Sequence, residues 1–363
     1  MKIGLVGLPL TGKTTFFNLL TNAKSDDLSH SSGKMEATVG IAKVPDKRVD
    51  FLTEVYKPRK KTYATIEVID IAGIVPGSGS GKKSAAAAFL DAVRKVDALV
   101  QVVRVFENDD VVPSRGAIDP MGDIDALNLE LLFADLAIIE NRISRIENQK
   151  KISKENQKEL EVLKKCQEGL ENGRLINNAG LSDEEKQYLR SFDFLTERPM
   201  ILLVNLDEDQ LQSGKYEQKE QVLEYAAKHN MPILEICAKT ELEINQLEPG
   251  DRELFMQELG IEEPGISQLA STAYKYLGLI SFLTAGEDEV RAWPVREGIS
   301  AKEAAGKIHS DIERGFIRAE VVAFDDFYKL GTMQKVKEKG LFRLEGKEYV
   351  VKDGDIINFR FNV

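Results

Sequence analysis

Short apolar runs recur along the chain at positions 3–6, 65–71, 98–105, 199–204 and 232–236. Each is four to eight residues long, and the run 98–105 is almost continuously apolar, as is typical of parallel strands buried on both faces. The pattern predicts several short strands, and a helix is predicted after the first of them, near Thr14.

The strand pattern stops between Asp123 and about Phe192. Apolar residues from 132 to 146 are spaced alternately by four and three, which indicates a helical seam. The stretch 150–157 is polar and lysine-rich, and leucines from 160 to 170 resume the seam. We predict two antiparallel helices with a charged tip, inserted into the sheet domain.

The pattern changes again after Gly286. Short strands at 289–294 and 320–323 flank an amphipathic helix predicted from Ser300 to Gly315, and a turn at Asp353-Gly354 leads into a strand at 355–361. This small α+β unit has no plausible catalytic cluster, since His309 stands alone. We expect it to serve binding.

The first strand runs into Gly7-Leu8-Pro9-Leu10-Thr11-Gly12-Lys13-Thr14, which has the spacing of a P-loop before a helix that begins near Thr14. Backbone N–H groups of such a loop surround a phosphate at the positive end of the following helix. Lys13 is predicted to reach the β- and γ-phosphates, and the Thr14 hydroxyl to bind Mg²⁺. The chain therefore is predicted to bind a nucleoside triphosphate.

The strand that ends in Asp70-Ile71-Ala72-Gly73 supplies the next part of the predicted site. Asp70 can hold Mg²⁺ and the Gly73 N–H can sense a γ-phosphate. Thr38 can complete the Mg²⁺ shell, or it is an ordinary strand threonine. Ile74 follows Gly73, where many GTPases have a water-orienting glutamine, so we expect slow hydrolysis.

A base-recognition segment is predicted at Asn205-Leu206-Asp207-Glu208, in place of the Asn-Lys-x-Asp of switch GTPases. The longer Glu208 should misplace the acceptor for guanine, whereas Asn205 can recognise an adenine edge. The alternative is a polar strand end without a role. The residues predicted to bind nucleotide are Pro9, Leu10, Thr11, Gly12, Lys13, Thr14, Thr15, Asn205, Leu206, Glu208, Cys237, Ala238 and Lys239.

Composition and charge limit the partners and the compartment that can be predicted for this protein. The 363 residues are 42% hydrophobic and 30% charged, with a net charge of −11 that argues against non-specific nucleic-acid binding by the whole surface. The two cysteines are expected to be reduced thiols. An apolar strand at residue 3 and the lack of any membrane-length apolar run predict a cytoplasmic protein without a membrane contact.

The assembled motifs resemble the YchF family of Obg-like ATPases over essentially the whole chain. The resemblance rests on Gly7–Thr15, on Asp70–Gly73, on Asn205–Glu208 and most of all on the tail, where Thr284-Ala285-Gly286 and Glu289-Val290-Arg291-Ala292-Trp293 stand. It implies an α/β fold with a doubly wound P-loop NTPase domain in two parts, 1–122 and 198–278, an inserted helical arm at 123–197, and a TGS domain of the β-grasp type at 279–363. It also implies a monomer that binds Mg²⁺ with ATP or GTP and contacts the ribosome or ribosomal RNA through arm and TGS domain.

Three departures from the family pattern bear on hydrolysis. Leu10 replaces an asparagine that helps to bind an activating potassium ion in related NTPases. The family's switch threonine aligns with Lys34 instead of Thr38, and a histidine considered for catalysis aligns with Pro113. We therefore predict that nucleotide binding is retained while intrinsic turnover is low.

The leading hypothesis is an ATP-binding, slowly hydrolysing switch NTPase linked to ribosomes or stress responses, in which Lys13 and Gly73 act at the γ-phosphate. One alternative is a nucleotide-gated scaffold without significant hydrolysis. A small-molecule phosphotransferase is a further alternative, although no general base for an acceptor substrate is evident.

Overall fold

In the computed structural model, the described residues are 1–22, 38–73 and 83–362. Lys34, the place that aligns with the family's switch threonine, and Ile74, next to Gly73, lie outside these ranges. The predictions that rest on those two positions therefore remain at the level of sequence.

The strands are β1 Lys2–Val6, β2 Thr38–Val44, β3 Lys60–Thr62, β4 Ala64–Asp70, β5 Ala98–Arg104, β6 Met200–Asn205, β7 Ile233–Ile236, β8 Leu279–Ala285, β9 Glu289–Arg296, β10 Phe316–Ala323, β11 Arg343–Glu345 and β12 Asp355–Phe361. The helices are α1 Lys13–Thr21, α2 Lys47–Tyr56, α3 Lys83–Val93, α4 Pro120–Glu147, α5 Lys154–Glu171, α6 Asp183–Leu189, α7 Glu208–Ser213, α8 Lys219–Lys228, α9 Ala238–Gln246, α10 Pro249–Glu258, α11 Gly265–Tyr276, α12 Ala301–Ile308, α13 Ser310–Arg314, α14 Phe324–Leu330 and α15 Met333–Glu338.

Contacts divide the chain into two compact units. The first unit contains Met1–Gly40 and Glu67–Leu269, and the second contains Ile41–Ile66 and Ala270–Val363. The segment 41–66, which the sequence analysis assigned to the NTPase domain, therefore groups with the C-terminal residues. The three domain boundaries given above, after residues 122, 197 and 278, stay a prediction.

The sheet that carries the P-loop has the strand order β2-β4-β1-β5-β6-β7, and the pairs from β4 to β7 are parallel. The register sets Leu5 beside Asp70 on one side and beside Val100 on the other. Arg104 pairs with Asn205 at the ends of β5 and β6. Because parallel strands end at the same edge, this topology gathers the P-loop, Asp70, Arg104 and Asn205 at the carboxyl edge of the sheet, where ligands of doubly wound folds bind.

Helices α4 and α5 form the inserted arm, as the apolar seam predicts. Ile139 and Ile146 on α4 and Leu163 on α5 are fully buried in the arm's own core. Arg142 binds the Glu159 carboxylate through two hydrogen bonds of 2.8 Å. This arginine is therefore engaged within the arm rather than free for an external polyanion.

Asp135 on α4 fixes the base of the arm. Its side chain has no exposed surface and accepts hydrogen bonds from the Leu195 N–H at 3.0 Å, the Thr196 N–H at 2.8 Å and the Thr196 hydroxyl at 2.8 Å. Burial raises the pKa of this carboxyl, while the three hydrogen bonds oppose the rise. A buried carboxylate satisfied in this way holds the chain at 195–196 against α4.

The second unit has a sheet of order β11-β10-β12-β8-β9-β3, antiparallel except for the pairs β12–β8 and β3–β9. The helix predicted over 300–315 is wrong as a single element, because His309 adopts an extended backbone between α12 and α13. Its ring nitrogen accepts a hydrogen bond from the Asp311 N–H and so caps α13.

Within the parts of the chain that the structure describes, no helix combines the length and apolar character needed to cross a membrane.

Candidate nucleotide-binding site

The turn from β1 into α1 depends on two glycines. Gly7 has φ +144°, and a Cβ there would lie 2.5 Å from the Val102 carbonyl oxygen. Gly12 has φ +97°, and a Cβ there would collide with the Asn205 amide nitrogen. Both the backbone conformation and the lack of space therefore require glycine at these positions.

Leu10 lies in the same loop with φ +65° and a side chain that is 56% exposed. A left-handed backbone costs a leucine about 1 to 2 kcal/mol, whereas asparagine tolerates it better. The resemblance places an asparagine here, so this chain keeps the loop shape with a residue that strains it. No potassium-binding role is available to a leucine side chain, because it has no acceptor.

Lys13 is held inside the loop before any ligand is considered. Its side chain donates a hydrogen bond of 2.6 Å to the Leu8 carbonyl oxygen, and the residue is 7% exposed. Burial lowers the pKa of Lys13 to about 8, and the nearby Asp70 carboxylate opposes that change. A phosphate group that replaces the carbonyl as partner would favour the charged ammonium.

Thr14 and Asp70 meet as the sequence predicts for a Mg²⁺ site. The Thr14 hydroxyl donates to Asp70 Oδ2 at 2.7 Å. Burial raises the pKa of Asp70, while the Thr14 hydrogen bond and Lys13 oppose the rise. Two hard oxygen donors at this distance fit Mg²⁺, which usually takes one or two protein ligands together with phosphate oxygens and water.

The described residues hold no cluster of three or more His, Cys, Asp or Glu side chains suited to a metal ion. A metal at this place would therefore depend on Thr14, Asp70 and the oxygens of a bound nucleotide. Thr38 begins β2 and is half-buried. Its predicted part in a Mg²⁺ shell remains a prediction.

Gly73 packs directly against the P-loop. A Cβ at this position would lie 2.9 Å from the Pro9 nitrogen, 3.0 Å from Lys13 Nζ and 3.1 Å from the Gly7 carbonyl oxygen. A side chain would therefore disturb the loop and its lysine. The contact brings the end of the Asp70–Gly73 segment to the place where the sequence analysis puts the γ-phosphate.

Asn205 ties the P-loop to the start of α9. Its amide nitrogen donates to the Thr11 carbonyl oxygen at 3.0 Å, and its amide oxygen accepts from the Ala238 N–H at 3.2 Å. Asn205 is 4% exposed. Both ends of the amide are thus used within the protein, so any contact with a base would need the second N–H or the second lone pair.

Besides Asn205 and Ala238, two further residues predicted to contact the base are buried. Leu206 is 4% exposed and Cys237 is 2% exposed, and both pack in the core of the first unit. Leu206 is predicted to take part in base selection, and its side chain lies in the apolar core. Only the backbone of either residue is available to a ligand.

The remaining predicted residues lie in the P-loop and α1 or at the starts of α7 and α9. Pro9 and Thr15 are half-buried, Thr14 is exposed, and Thr11 donates its hydroxyl to the Leu8 carbonyl oxygen at 3.1 Å. Glu208 begins α7, Ala238 begins α9, and the Lys239 ammonium lies 3.1 Å from Glu208 Oε2.

A small open pocket lies beside the P-loop, and sequence reasoning missed the charged groups in it. Pro9 and Thr11 form one wall, while Arg104, Pro113 and Asp123 contribute to the others. Burial raises the pKa of Asp123 to about 6. It lowers the pKa of Arg104, whose Nη1 has no hydrogen-bond partner. In the sequence, the signal for these charged groups is Arg104 at the end of an almost continuously apolar strand.

Two family models match separate parts of the chain. A family model described as 50S ribosome-binding GTPase matches residues 2–132, and the model YchF-GTPase_C, described as a protein of unknown function, matches residues 279–362. The ribosome-binding ATPase YchF of Bacillus subtilis is 43% identical, with all of both chains covered. That of Haemophilus influenzae is 43% identical over 100% of this chain and 99% of its own. The solved YchF GTPase of Schizosaccharomyces pombe is 29% identical with a TM-score of 0.86, covering 99% of this chain and 97% of that chain.

Proposed function

Because the chain belongs to the YchF family, as full-length relatives above 40% identity require, we propose that it is an ATP-binding switch NTPase with slow hydrolysis that associates with ribosomes. The contact of Gly73 with Lys13 and Pro9 carries this proposal. It joins the nucleotide-sensing segment to the phosphate-binding loop without an intervening side chain.

Each site residue has a role that its position supports. Lys13 neutralises phosphate charge, and the backbone N–H groups from Leu10 to Thr15 surround the phosphates. Gly73 offers its N–H to the γ-phosphate. Asn205 keeps the P-loop and the base-binding residues in register through its two hydrogen bonds.

Thr14 and Asp70 would hold Mg²⁺, which when bound neutralises charge on the β- and γ-phosphates. Before binding, the two side chains hydrogen-bond each other at 2.7 Å. That contact keeps both oxygens at the same edge of the sheet. It also restrains the end of β4, from which Gly73 is only three residues away.

Slow turnover follows from what the chain offers near the γ-phosphate. Ile74 cannot donate or accept a hydrogen bond, and Pro113 lies in the wall of the cavity beside Pro9 without a proton acceptor in its side chain. No water-orienting group is therefore supplied at either of these two positions. The same observation favours a second candidate, a nucleotide-gated scaffold that does not hydrolyse.

Phosphate release separates these two candidates. Steady-state release of phosphate from ATP should exceed that of a Lys13→Ala variant, which loses the cation that neutralises the phosphates. Rates equal to that variant, with wild-type ATP binding intact, would leave the scaffold as the function.

Ribosome association is tested by co-sedimentation in the presence of ADP or of a non-hydrolysable ATP analogue. We expect more protein in the ribosome pellet with the ATP analogue. Equal amounts in both states would remove the switch from the proposal. The proposal puts the protein in the cytoplasm as a monomer that uses the arm and the C-terminal domain for contact.

A further inference from the structure

The small pocket beside the P-loop connects that loop with the start of α4. Pro9 lines it from the P-loop, Pro113 and Ser114 line it from the segment before α4, and Asp123 lines it from the first turn of α4. Pro9 also packs against Gly73, where a Cβ would lie 2.9 Å from the Pro9 nitrogen. The pocket therefore adjoins the place proposed above for the γ-phosphate.

Arg104 lines the same pocket and keeps one donor unused. The residue is 4% exposed, and its guanidinium donates to the Phe106 carbonyl oxygen at 3.2 Å and to the Val111 carbonyl oxygen at 2.8 Å. Its Nη1 has no hydrogen-bond partner among the described residues. Buried polar groups are normally hydrogen-bonded, so an open donor in a pocket wall indicates a place for water or a ligand.

The Asp123 carboxylate is also left without hydrogen bonds. Its side chain is 14% exposed, and its nearest cation, Arg115 Nη1, lies 3.8 Å from Oδ1, beyond hydrogen-bond distance. Burial raises the pKa of Asp123 to about 6; Arg115 opposes the rise, Asp119 adds to it, and Arg104 opposes it. Within the described chain these are the charged groups that act on this carboxyl. A buried carboxylate in this state costs the fold stability.

Two other acids of the same region serve the fold. Asp119 caps α4, because its Oδ1 accepts from the Gly122 N–H at 3.0 Å and from Gln218 Nε2 at 3.1 Å. Asp135, further along α4, accepts the three hydrogen bonds described above. Asp123 has no such partners, so the fold does not explain a carboxylate at this position. A group that costs stability in a pocket is typical of a functional site.

We propose that Asp123 accepts a proton from the water that attacks the γ-phosphate, an inference that rests on the proposed ATP site. The water oxygen forms a bond to the γ-phosphorus while the bond from that phosphorus to the β–γ bridging oxygen breaks. ADP leaves with the bridging oxygen. One proton of the water moves to the Asp123 carboxylate and then to solvent, and the other stays on the released phosphate.

The other described residues of the pocket cannot take this part. The side chains of Pro9 and Pro113 have no proton acceptor, and the Arg104 guanidinium stays protonated. The Ser114 hydroxyl is too weak a base near neutral pH. A carboxylate that is ionised only above about pH 6 is matched to the working pH, as a general base requires.

The test measures steady-state phosphate release from ATP by the full chain with Mg²⁺. Asp123→Asn keeps the size of the side chain and removes the proton acceptor. We expect kcat at pH 7.5 to fall about 100-fold, the low end of what a positioned proton acceptor contributes, with little change in KM. The control is Asp125→Asn, the same change at an exposed position two residues further along α4, which should keep the wild-type rate.

The pH profile distinguishes proton transfer from a structural role. The ratio of the wild-type rate to the Asp123→Asn rate should fall about tenfold between pH 7.5 and pH 5, because about one Asp123 in ten is ionised one unit below its pKa. Titration of the nucleotide acts on both proteins alike and cancels in this ratio. Asp123→Glu keeps a carboxylate and should recover part of the rate.

Three outcomes would overturn the inference. The first is an equal kcat for the wild type and Asp123→Asn, and the second is a ratio of their rates that does not change with pH. Either result, with wild-type phosphate release above that of Lys13→Ala, leaves the proposed function intact. The third is wild-type release no faster than that of Lys13→Ala, which removes hydrolysis from the proposed function as well.

Discussion

Nucleotide affinity should fall at alkaline pH because Lys13 is desolvated in the free protein. Its pKa is lowered to about 8, and bound phosphates would raise it by replacing the Leu8 carbonyl with negative charge. Binding above pH 8 must then take up a proton, so the affinity decreases as pH rises through the pKa of the free protein. At pH 9 about one Lys13 in ten is charged, which predicts an affinity about tenfold weaker than at pH 7, or about 1.4 kcal/mol.

The assay is calorimetry with a non-hydrolysable ATP analogue and Mg²⁺ between pH 7 and 9.5. Buffers of different ionisation enthalpy report the proton uptake directly. Lys13→Arg is the control. Its guanidinium stays charged over this range, so the affinity of the variant for the nucleotide should not change with pH. An equal affinity for the wild type at pH 7 and 9, with circular dichroism unchanged, would refute the desolvation of Lys13.

Three further predictions concern stability. Asp123→Asn should stabilise the protein by about 1 to 3 kcal/mol at pH 7.5 in chemical denaturation, and by less at pH 5. Burial raises the pKa of Asp123 in the folded protein to about 6, so its neutral form is present at low pH and lost as pH rises through 6. An equal gain in the free energy of unfolding of Asp123→Asn at pH 5 and pH 7.5 would contradict this. Asp135→Ala should lower the free energy of unfolding by about 3 kcal/mol, because three buried donors lose their acceptor. The control Glu140→Ala, at an exposed position, should change it by less than about 0.5 kcal/mol. Equal denaturation midpoints for both variants would argue against the Asp135 contacts. Leu10→Asn should raise the free energy of unfolding by about 0.5 to 1 kcal/mol by relieving the left-handed backbone at φ +65°, and a lower thermal midpoint would show that the leucine is not strained.

The phosphate-binding half of the site was predictable because its residues lie close together in sequence or at strand ends. Lys13 and Thr14 follow β1 within one loop, and Asp70 ends the neighbouring parallel strand. Parallel pairing alone brings such ends to one edge. The 2.7 Å contact of Thr14 with Asp70 is therefore a consequence of topology that motif spacing already indicates.

Other features depend on contacts that no local pattern encodes. Apolar periodicity could not reveal the break at His309, because one extended residue leaves apolar positions on both sides in a helical phase. The three hydrogen bonds of Asp135 join residues 60 or more positions apart. The grouping of 41–66 with the C-terminal residues is likewise non-local. A polar residue in an apolar seam signals a partner, but sequence alone does not say which one.

The carboxyl ends of β6 and β7 show why the identity of a motif residue is weaker evidence than its free hydrogen-bonding capacity. The sequence predicts that Asn205 and Glu208 recognise a base, and Asp207 between them is a further carboxylate. The structure commits Asn205 to the P-loop and to α9, and Asp207 to a helix cap and a loop N–H. The Glu208 carboxylate is 44% exposed, and its Oε2 lies 3.1 Å from Lys239 Nζ. A contact of Glu208 with a base stays a prediction.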